Sequence, residues 1–502
     1  MGLTEQILEH LHPREYTALE KRLTSTDSQA GKWLSLYTEF AHDEEKLEAR
    51  FKRAVPKGNM SVVKNAVQHA ALNEVVRASL DHHPAAQVEL LILQLREFSN
   101  RTAVTVVQKL LAKALEIAEE YELLTQWSEL VDYEIYFGEL HHLHTYEVFQ
   151  QKLKQHELLL EKMSNHQQYR QLEFRQMRLT NANYMLRTEE AKAEWKAIAD
   201  NPLLQSPERA RSVSALLEYH ILRAHCFFIF LEYEKQAQEA LAIIALFEKH
   251  PFLTTYRNMH LLWAYTQLAH VGYYLKRNDW LEMALHQLKL VPKKSVLEEV
   301  AAFTYDAHYS MAYSDLKGFQ DEMKKAALLA AEGLVKWNDK IKRDARVALL
   351  GSCVSALVEV GEYEKALDLI REHHDFLHLS NRLDSKVIIQ FFELIAQIET
   401  GNELVVNETL QNFNRFLLRN QFKSEFEQRM MRFLKIISSG SPEMKEELAL
   451  LQQQLKDIPK EALLSQHPIL WQIILHMAES RIAGLRYHEY MAGLKQAAIN
   501  TH

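Results

Sequence analysis

The stretch VALLGSCVSALVEVGEYEKAL, residues 347–367, decides the fold class. Its apolar residues recur at steps of three and four, which places them on one face of an α-helix: Val347, Leu350, Val354 and Leu357. Gly361 then interrupts the pattern, because glycine readily adopts the backbone conformation that ends a helix. Helical spacing resumes after it, so the stretch predicts two helices joined by a tight turn.

Similar helix breakers recur along the chain at steps of 39 to 50 residues, with a mean near 43. They are Gly138, Thr188, Leu231, Asn278, Gly318, Gly361, Gly401 and Gly440. A step of this length holds two helices of about 18 residues each and two short turns. Hairpins repeated in this way stack into an α-solenoid, so we expect an all-α protein built as a right-handed superhelix.

The scarcity of turn-forming residues supports the same fold class. The chain has 13 glycines and 10 prolines among 502 residues, whereas average usage would give about 60 of them in all. This scarcity disfavours sandwiches, barrels and doubly wound α/β folds, which need a turn about every ten residues. It also disfavours the glycine-rich loops that bind phosphate groups. We expect no strands.

A resemblance to a known family appears at these residues. Gly361-Glu-Tyr363-Glu-Lys-Ala366-Leu367 resembles the turn between the two helices of a tetratricopeptide repeat, with Gly, Tyr and Ala at matching offsets. The spacing exceeds the usual 34 residues, so the hairpins are lengthened, tetratricopeptide-like repeats. The chain also resembles a group of long bacterial helical-repeat proteins in three segments: residues 59–80, 112–122 and 470–481. The resemblance implies that the first helix of each hairpin lines a concave surface, and it implies no known reaction.

The sequence predicts three parts. Residues 1–82 form an N-terminal helical module that ends at Asp81-His-His-Pro84. The tetratricopeptide-like array occupies residues 83–440. Residues 441–502 form a C-terminal helical cap, because they contain a strongly apolar helix face made of Ile469, Leu470, Ile473, Ile474 and Met477.

Motifs of the common catalytic and phosphate-binding sites are missing from the sequence, including the P-loop, the dinucleotide fingerprint and the nucleophile elbow. Two histidine clusters, residues 141–144 and 372–378, have a spacing that would suit zinc or nickel. Histidines also occur at solvated helix ends, where they complement the helix dipole, and we favour that interpretation. We therefore expect no metal, no cofactor and no enzymatic activity.

Candidate binding residues form stripes on the predicted first helices of the hairpins. One stripe is Tyr256, His260, Trp263, Gln267 and His270; the next is Glu299, Phe303, Asp306, Tyr309 and Tyr313; an earlier one is Arg175, Arg178 and Asn181. Aromatic anchors beside polar groups are typical of peptide recognition. Seven of these residues are the candidate partner-binding residues: Arg175, Arg178, Tyr256, His260, Gln267, Asp306 and Tyr309. The alternative is that the aromatic residues form the core between hairpins and that only the polar ones contact water.

A basic segment, residues 50–64, has five cations and no acid. It joins two predicted helices, as in a DNA-binding helix-turn-helix. If the N-terminal module binds nucleic acid through this segment, the protein is a regulator whose repeat array senses a peptide or protein. Against this, residues 1–80 hold equal numbers of cations and acids. The acidic run 43–45 can pair with the basic segment, which is then a solvated loop.

The remaining sequence properties concern location. The net charge of −8 gives no general attraction to nucleic acid or to a membrane. Cys226 and Cys353 lie in apolar stretches far apart, which is typical of reduced thiols in the cytoplasm. We find no signal peptide and no apolar run long enough to cross a membrane. We expect a cytoplasmic, non-enzymatic scaffold that binds a protein or peptide on the concave face of its helical array.

Overall fold

The protein is all-α in the part of the chain that its structure describes. The structure is a computed structural model, and it describes residues 3–25, 28–40, 43–99, 101, 103–182, 189–377, 382–401, 403–420, 422, 424–439, 443–456 and 468–500. Helices account for most of these residues, and none of the described residues is in a strand. The predicted fold class is confirmed at this level.

The chain divides into two compact units, Met1–Ser164 and Asn165–His502. The helices of the first unit are α1 (Leu3–His10), α2 (Pro13–Thr24), α3 (Gln29–Phe40), α4 (Glu44–Ala54), α5 (Met60–His82), α6 (Pro84–Ser99), α7 (Val104–Glu120) and α8 (Leu124–Leu140). The division falls within α9 (Tyr146–Ala182).

The second unit continues with a long series of helices. They are α10 (Glu189–Ala199), α11 (Val213–Ile229), α12 (Tyr233–Lys249), α13 (Leu253–Tyr256), α14 (Asn258–Tyr274), α15 (Asn278–Leu290), α16 (Val296–Lys317), α17 (Gln320–Lys336), α18 (Arg343–Glu359), α19 (Tyr363–Glu372), α20 (His374–Leu377), α21 (Leu383–Thr400), α22 (Glu403–Arg419), α23 (Glu425–Ser439), α24 (Met444–Lys456), α25 (Pro468–Ala483) and α26 (Tyr487–Asn500). Two short 3₁₀ helices, Pro202–Leu204 and Pro207–Arg209, precede α11.

The first unit contains two hydrophobic cores. Helices α1 to α5 bury Trp33, Leu34 and Val67 in one core, whereas α6 to α8 and the start of α9 form another around Val107 and Val131. Residues before the end of α5 therefore have a core of their own. The boundaries predicted at 82 and 440 stay predictions, since the contacts divide the chain elsewhere.

Successive helices of the second unit pack in pairs. The pairs are α11 with α12, α14 with α15, α16 with α17, and α18 with α19. The first helix of a pair also packs against the first helix of the next: α14 contacts α16, α16 contacts α18, and α18 contacts α21. The first helices of successive pairs therefore contact one another along one face. This arrangement positions the site described below.

Left-handed residues separate the helices of these pairs and also separate α21 from α22. Four of them, Leu231, Gly318, Gly361 and Gly401, are predicted helix breakers with a positive φ, and the fifth, Lys276, was not predicted. After α18 the backbone N–H groups of residues 361 and 362 donate to the carbonyls of residues 358 and 357, which closes the helix end. The predicted break at Asn278 lies two residues late, since that residue begins α15. Thr188 and Gly440 lie outside the described residues.

One other sequence prediction about a helix end is corrected. Gly138 does not form the turn after α8 but lies within that helix; the residue with positive φ is His142. A Cβ atom at Gly138 would lie 2.1 Å from the imidazole of His144, so a side chain there would exclude that ring. The residues of the predicted 441–502 cap share one hydrophobic core with α16 to α23, through Leu470, Ile474 and others. The side chain of Ile469, also predicted on the apolar face of the cap, is not among those that the structure describes.

The second unit is held together by large apolar clusters. The apolar face predicted in the last helices is confirmed for residues such as Ile474 and Met477, which are fully buried. Within the described residues, we find no helix that combines the length and the apolar character needed to cross a bilayer.

Candidate functional site

A cavity of about 560 Å³ lies among the first helices of the second unit. Its lining residues come mainly from α11, α14, α16, α18 and α21. The last four pack against one another in succession, and rings of α11 contact rings of α14. Their lining positions follow helical spacing. On α16 they include Tyr305, His308, Ala312 and Asp315, and on α18 they include Ala345, Ala348, Ser352, Ser355 and Glu359.

The sizes of the side chains explain why the helices leave a cavity. Helix α18 contributes a row of alanine and serine residues, whereas α14 contributes large ones such as Trp263 and Tyr274. The small side chains of α18 do not fill the space that the rings border, and this unfilled space is part of the cavity.

Aromatic rings form a contiguous cluster at the cavity wall. The ring of His270 lies 5.0 Å from that of Phe228 and 4.6 Å from that of Tyr274, measured between centroids. Tyr274 stacks on Tyr233 at 4.9 Å and meets Tyr273 edge-on at 5.6 Å. The wall therefore offers π-faces to an occupant of the cavity.

Three cavity histidines are neutral at physiological pH. Burial lowers the pKa of His225 to about 4, of His270 to about 3 and of His308 to about 4, because the charged imidazolium would lose its hydration. His308 Nδ1 lies 2.6 Å from the Ser352 hydroxyl. Each neutral ring supplies one hydrogen-bond donor and one acceptor rather than a charge.

Two buried polar atoms of the wall have no hydrogen-bond partner. They are His270 Nδ1 and Trp195 Nε1, and both residues line the cavity. Buried polar groups are nearly always hydrogen-bonded in folded proteins, since an unpaired group costs about 1–3 kcal/mol. A bound molecule can supply these partners.

Two neighbouring carboxyl groups line the cavity, Asp315 from α16 and Glu359 from α18. Asp315 accepts a hydrogen bond from the Tyr273 hydroxyl at 2.9 Å and from the Lys495 ammonium at 2.5 Å. Lys495, from α26, also donates to Glu359. It is not a lining residue, so it reaches the carboxyl pair from outside the cavity.

The carboxyl pair shares one proton. Burial and the neighbouring Asp315 raise the pKa of Glu359 to about 8. Burial also opposes the charge of Asp315, but the Lys495 ammonium and the hydrogen bonds from Glu359, Lys495 and Tyr273 outweigh it and lower the pKa of Asp315. At pH 7 Asp315 and Lys495 are charged and Glu359 keeps its proton.

A second charged pair lies elsewhere on the cavity wall. The Arg382 guanidinium donates to both carboxylate oxygens of Asp384, at 2.8 Å from Nε and 2.5 Å from Nη2. This bidentate geometry matches the fork of donors to the two oxygens. The pair adds no net charge to the wall.

Of the seven predicted binding residues, the structure brings Gln267 and Tyr309 to the cavity. Gln267 Oε1 accepts a hydrogen bond from Gln236 at 2.7 Å. Trp263 and His270, from the same predicted stripe, also line it.

The other five predicted residues lie elsewhere. Tyr256 ends α13 and so is not on the helix that carries Gln267, because the chain leaves the helical conformation at residue 257. His260 is half-buried in the first turn of α14 but is not a lining residue. Asp306 faces Lys289 at 3.7 Å. Arg175 and Arg178 are exposed on α9, and Arg178 pairs with Glu194 at 2.7 Å.

Sequence reasoning missed the residues that give the cavity its chemistry. They are His225, His308, Asp315, Ser352, Glu359, Arg382, Asp384 and Lys495. On α16 the lining face, with Tyr305, His308 and Asp315, has the same helical spacing as the stripe that the sequence singled out. That matching spacing was a signal that could have found it.

The basic segment 50–64 joins α4 and α5, as predicted. Lys64 pairs with Glu5 at 2.6 Å, and Lys52 with Glu48 at 3.9 Å. The predicted pairing with the acidic run 43–45 is not seen for Asp43, which pairs with Lys46 at 2.7 Å. Nucleic-acid binding through this segment stays a prediction.

The described residues contain no group of three or more His, Cys, Asp or Glu side chains placed to hold a metal ion. Of the second histidine cluster, His373 is buried and His374 exposed, and His378 lies outside the described residues. Cys226 and Cys353 are buried free thiols. Burial raises the pKa of each to about 12, so both stay protonated.

Comparisons of the chain with protein-family models, with curated proteins and with solved structures find no match.

Proposed function

We propose that the protein binds a peptide segment of a partner and is not an enzyme. In this proposal the second unit is an α-solenoid of tetratricopeptide-like hairpins, and the cavity is the binding site on its concave face. The observation that carries the proposal is that the first helices of successive pairs, α11, α14, α16 and α18, together with α21, line one cavity.

The size and the wall of the cavity support a short peptide as the occupant. A volume of about 560 Å³ falls within the range of about 300–1,000 Å³ found for ligand pockets, which suits a few residues and not a folded domain. Stacked aromatic rings can hold side chains. The unpartnered atoms His270 Nδ1 and Trp195 Nε1 can bond to peptide groups.

The polar pairs in the wall favour binding over catalysis. Ser352 and His308 are within hydrogen-bond distance, as a nucleophile and a base would be. However, Ser352 lies in the middle of α18, and its hydroxyl also bonds to the Ala348 carbonyl at 3.1 Å. The backbone N–H groups around it are used within the helix, so none of them can stabilise an oxyanion.

The proposal is tested by filling the cavity. Ala348→Phe places a ring in it, whereas Leu329→Phe, at an exposed position on α17, is the matched control. Each full-length variant is dialysed against a pool of random nonapeptides, and bound peptides are quantified by mass spectrometry. We expect a discrete set of peptides to be enriched by the wild type and by Leu329→Phe, and lost from Ala348→Phe. Equal enrichment by all three proteins would exclude the cavity as the site, and no enrichment by the wild type would contradict the function.

A further inference from the structure

The charge of the cavity wall is unequally distributed. Arg382 is engaged on both carboxylate oxygens of Asp384, so this pair has little net attraction for an ion. Elsewhere Asp315 and Glu359 line the cavity, whereas their cationic partner Lys495 does not. An occupant beside this carboxyl pair contacts carboxyl oxygens and not the Lys495 ammonium.

The helix geometry adds to this negative character. Tyr273 lies in the last turn of α14, Asp315 in the last turn of α16, and Glu359 at the end of α18. The hydrogen bonds among these residues show that the three C-terminal ends meet. The carbonyl ends of helices carry partial negative charge, which favours cations.

The aromatic cluster begins at the same place. Tyr273 donates to Asp315, and its neighbour Tyr274 stacks on Tyr233. The faces of tyrosine rings attract cations within about 6 Å. His270, within this cluster, is neutral and does not repel a cation.

The carboxyl pair is short of one positive charge. Two carboxyl groups face one ammonium, that of Lys495, and the pair holds a proton in place of a second cation. An incoming ammonium group can take that place: the ligand R–NH₃⁺ pairs with Glu359, whose carboxyl O–H breaks and releases H⁺ to the solvent. An incoming carboxylate would instead add a further negative charge to the site.

We propose that the cavity selects peptides that carry a primary ammonium group, and that Glu359 binds this group as a carboxylate after it loses its proton. The ammonium is that of a lysine side chain or of a free peptide N-terminus. This inference rests on the proposed peptide-binding function.

The proposal predicts a pH dependence of binding. Besides Asp315 and Tyr273, the groups that face the carboxyl pair are Lys495 and Tyr487 of α26 and His476 of α25. Burial lowers the pKa of His476 and raises that of Tyr487, so the neutral form of each is favoured over this range. Because Glu359 must lose its proton, binding of a lysine peptide should tighten by about tenfold over this range.

The experiment uses the full-length protein and four pools of random pentapeptides, all amidated at the C-terminus. Three pools are N-acetylated and have Lys, norleucine or Glu fixed at the centre; the fourth has norleucine at the centre and a free N-terminus. Bound peptide is measured by equilibrium dialysis at pH 6.5 and 8. We expect the lysine pool or the free-terminus pool to be retained about tenfold more than acetylated norleucine, and the glutamate pool to be retained least.

The two sources of ammonium are distinguished by the pools and by pH. A lysine side chain stays charged at pH 8, whereas a peptide N-terminus, with a pKa of about 7.7–8.0, loses half of its charge. Tightening with pH is therefore about tenfold for the lysine pool and about fivefold for the free-terminus pool, because a halved charge offsets only a factor of two.

Glu359→Gln is the decisive variant, because the amide has the shape and the neutrality of the protonated acid. Glu359→Gln should still bind the norleucine pool but should lose both the preference for ammonium and the pH dependence of binding. The control Glu332→Gln, at an exposed position on α17, should behave as the wild type. Equal retention of the lysine, free-terminus and norleucine pools would overturn the inference and leave the peptide-binding function standing. Retention of no pool would overturn both.

Discussion

Lys495 contacts two carboxyl groups and compensates the charge of Asp315, and its replacement by methionine tests that role. The ammonium lies 2.5 Å from Asp315 and also contacts Glu359, and the Lys495 side chain is only 11% exposed. Methionine keeps most of the apolar stem but removes the charge. Removing one partner of a buried ion pair costs about 3–5 kcal/mol, because the remaining charge is left without compensation. We expect Lys495→Met to lower the free energy of unfolding of the second unit by that amount.

The measurement is urea denaturation followed by circular dichroism at pH 7. Lys445→Met, at an exposed position on α24, is the control and should change stability by less than about 0.5 kcal/mol. In the double variant Lys495→Met/Asp315→Asn no buried charge is left alone, so we expect at least half of the loss to be recovered. A loss below about 1 kcal/mol in the single variant, or no recovery in the double one, would refute the assignment of Lys495 as the counter-ion.

Three further predictions concern other features of the second unit. Burial and Asp315 raise the pKa of Glu359 to about 8, above its unfolded value, so the wild type takes up a proton on folding. The free energy of unfolding should therefore fall by up to about 1.4 kcal/mol per pH unit as the pH rises toward 8. Urea midpoints of Glu359→Gln, measured over the same pH range, should lack this slope. Gly361→Ala puts a Cβ atom on a residue with φ +81°, 3.0 Å from the ring of His488. In thermal denaturation it should lower the free energy of unfolding by at least about 1–2 kcal/mol. Gly493→Ala, in a helix with open space around it, should instead raise the free energy of unfolding by about 0.5–1 kcal/mol. Both cysteine thiols should resist a disulfide reagent at pH 8 until urea unfolds the chain, because burial raises their pKa to about 12; labelling of the native protein would contradict their burial.

The turns of the second unit could be predicted because their signals are local. A glycine after an apolar helical run, as at Gly318 and Gly361, adopts the left-handed conformation that other residues avoid. At Gly138 the same signal misled. That glycine is needed because the ring of His144 packs directly on it, which is a contact that spacing alone cannot distinguish from a turn.

The site could be predicted only in part, because its chemistry depends on contacts between distant residues. Gln267 and Tyr309 reach the cavity because they lie on first helices, as expected. Lys495 is 136 residues from Glu359 in sequence, and no periodicity connects the two. Helix α16 packs against α14, α15, α17 and α18, so its hydrophobicity alone does not distinguish the lining face from the other faces, and only the spacing of its polar and aromatic residues does.

On α18 the size of the cavity and the charge of the cavity are determined by different residues, although one set of residues usually determines both properties of a binding site. Ala345, Ala348, Ser352 and Ser355 determine how much space the cavity has, whereas Glu359, one turn further on, determines its charge. Exchanging one of the small residues for one that is only slightly larger, such as valine and unlike the phenylalanine that fills the cavity, would shorten the occupant that fits without altering Glu359. Helices of this kind can therefore diversify ligand length by single substitutions while the type of group recognised is inherited unchanged.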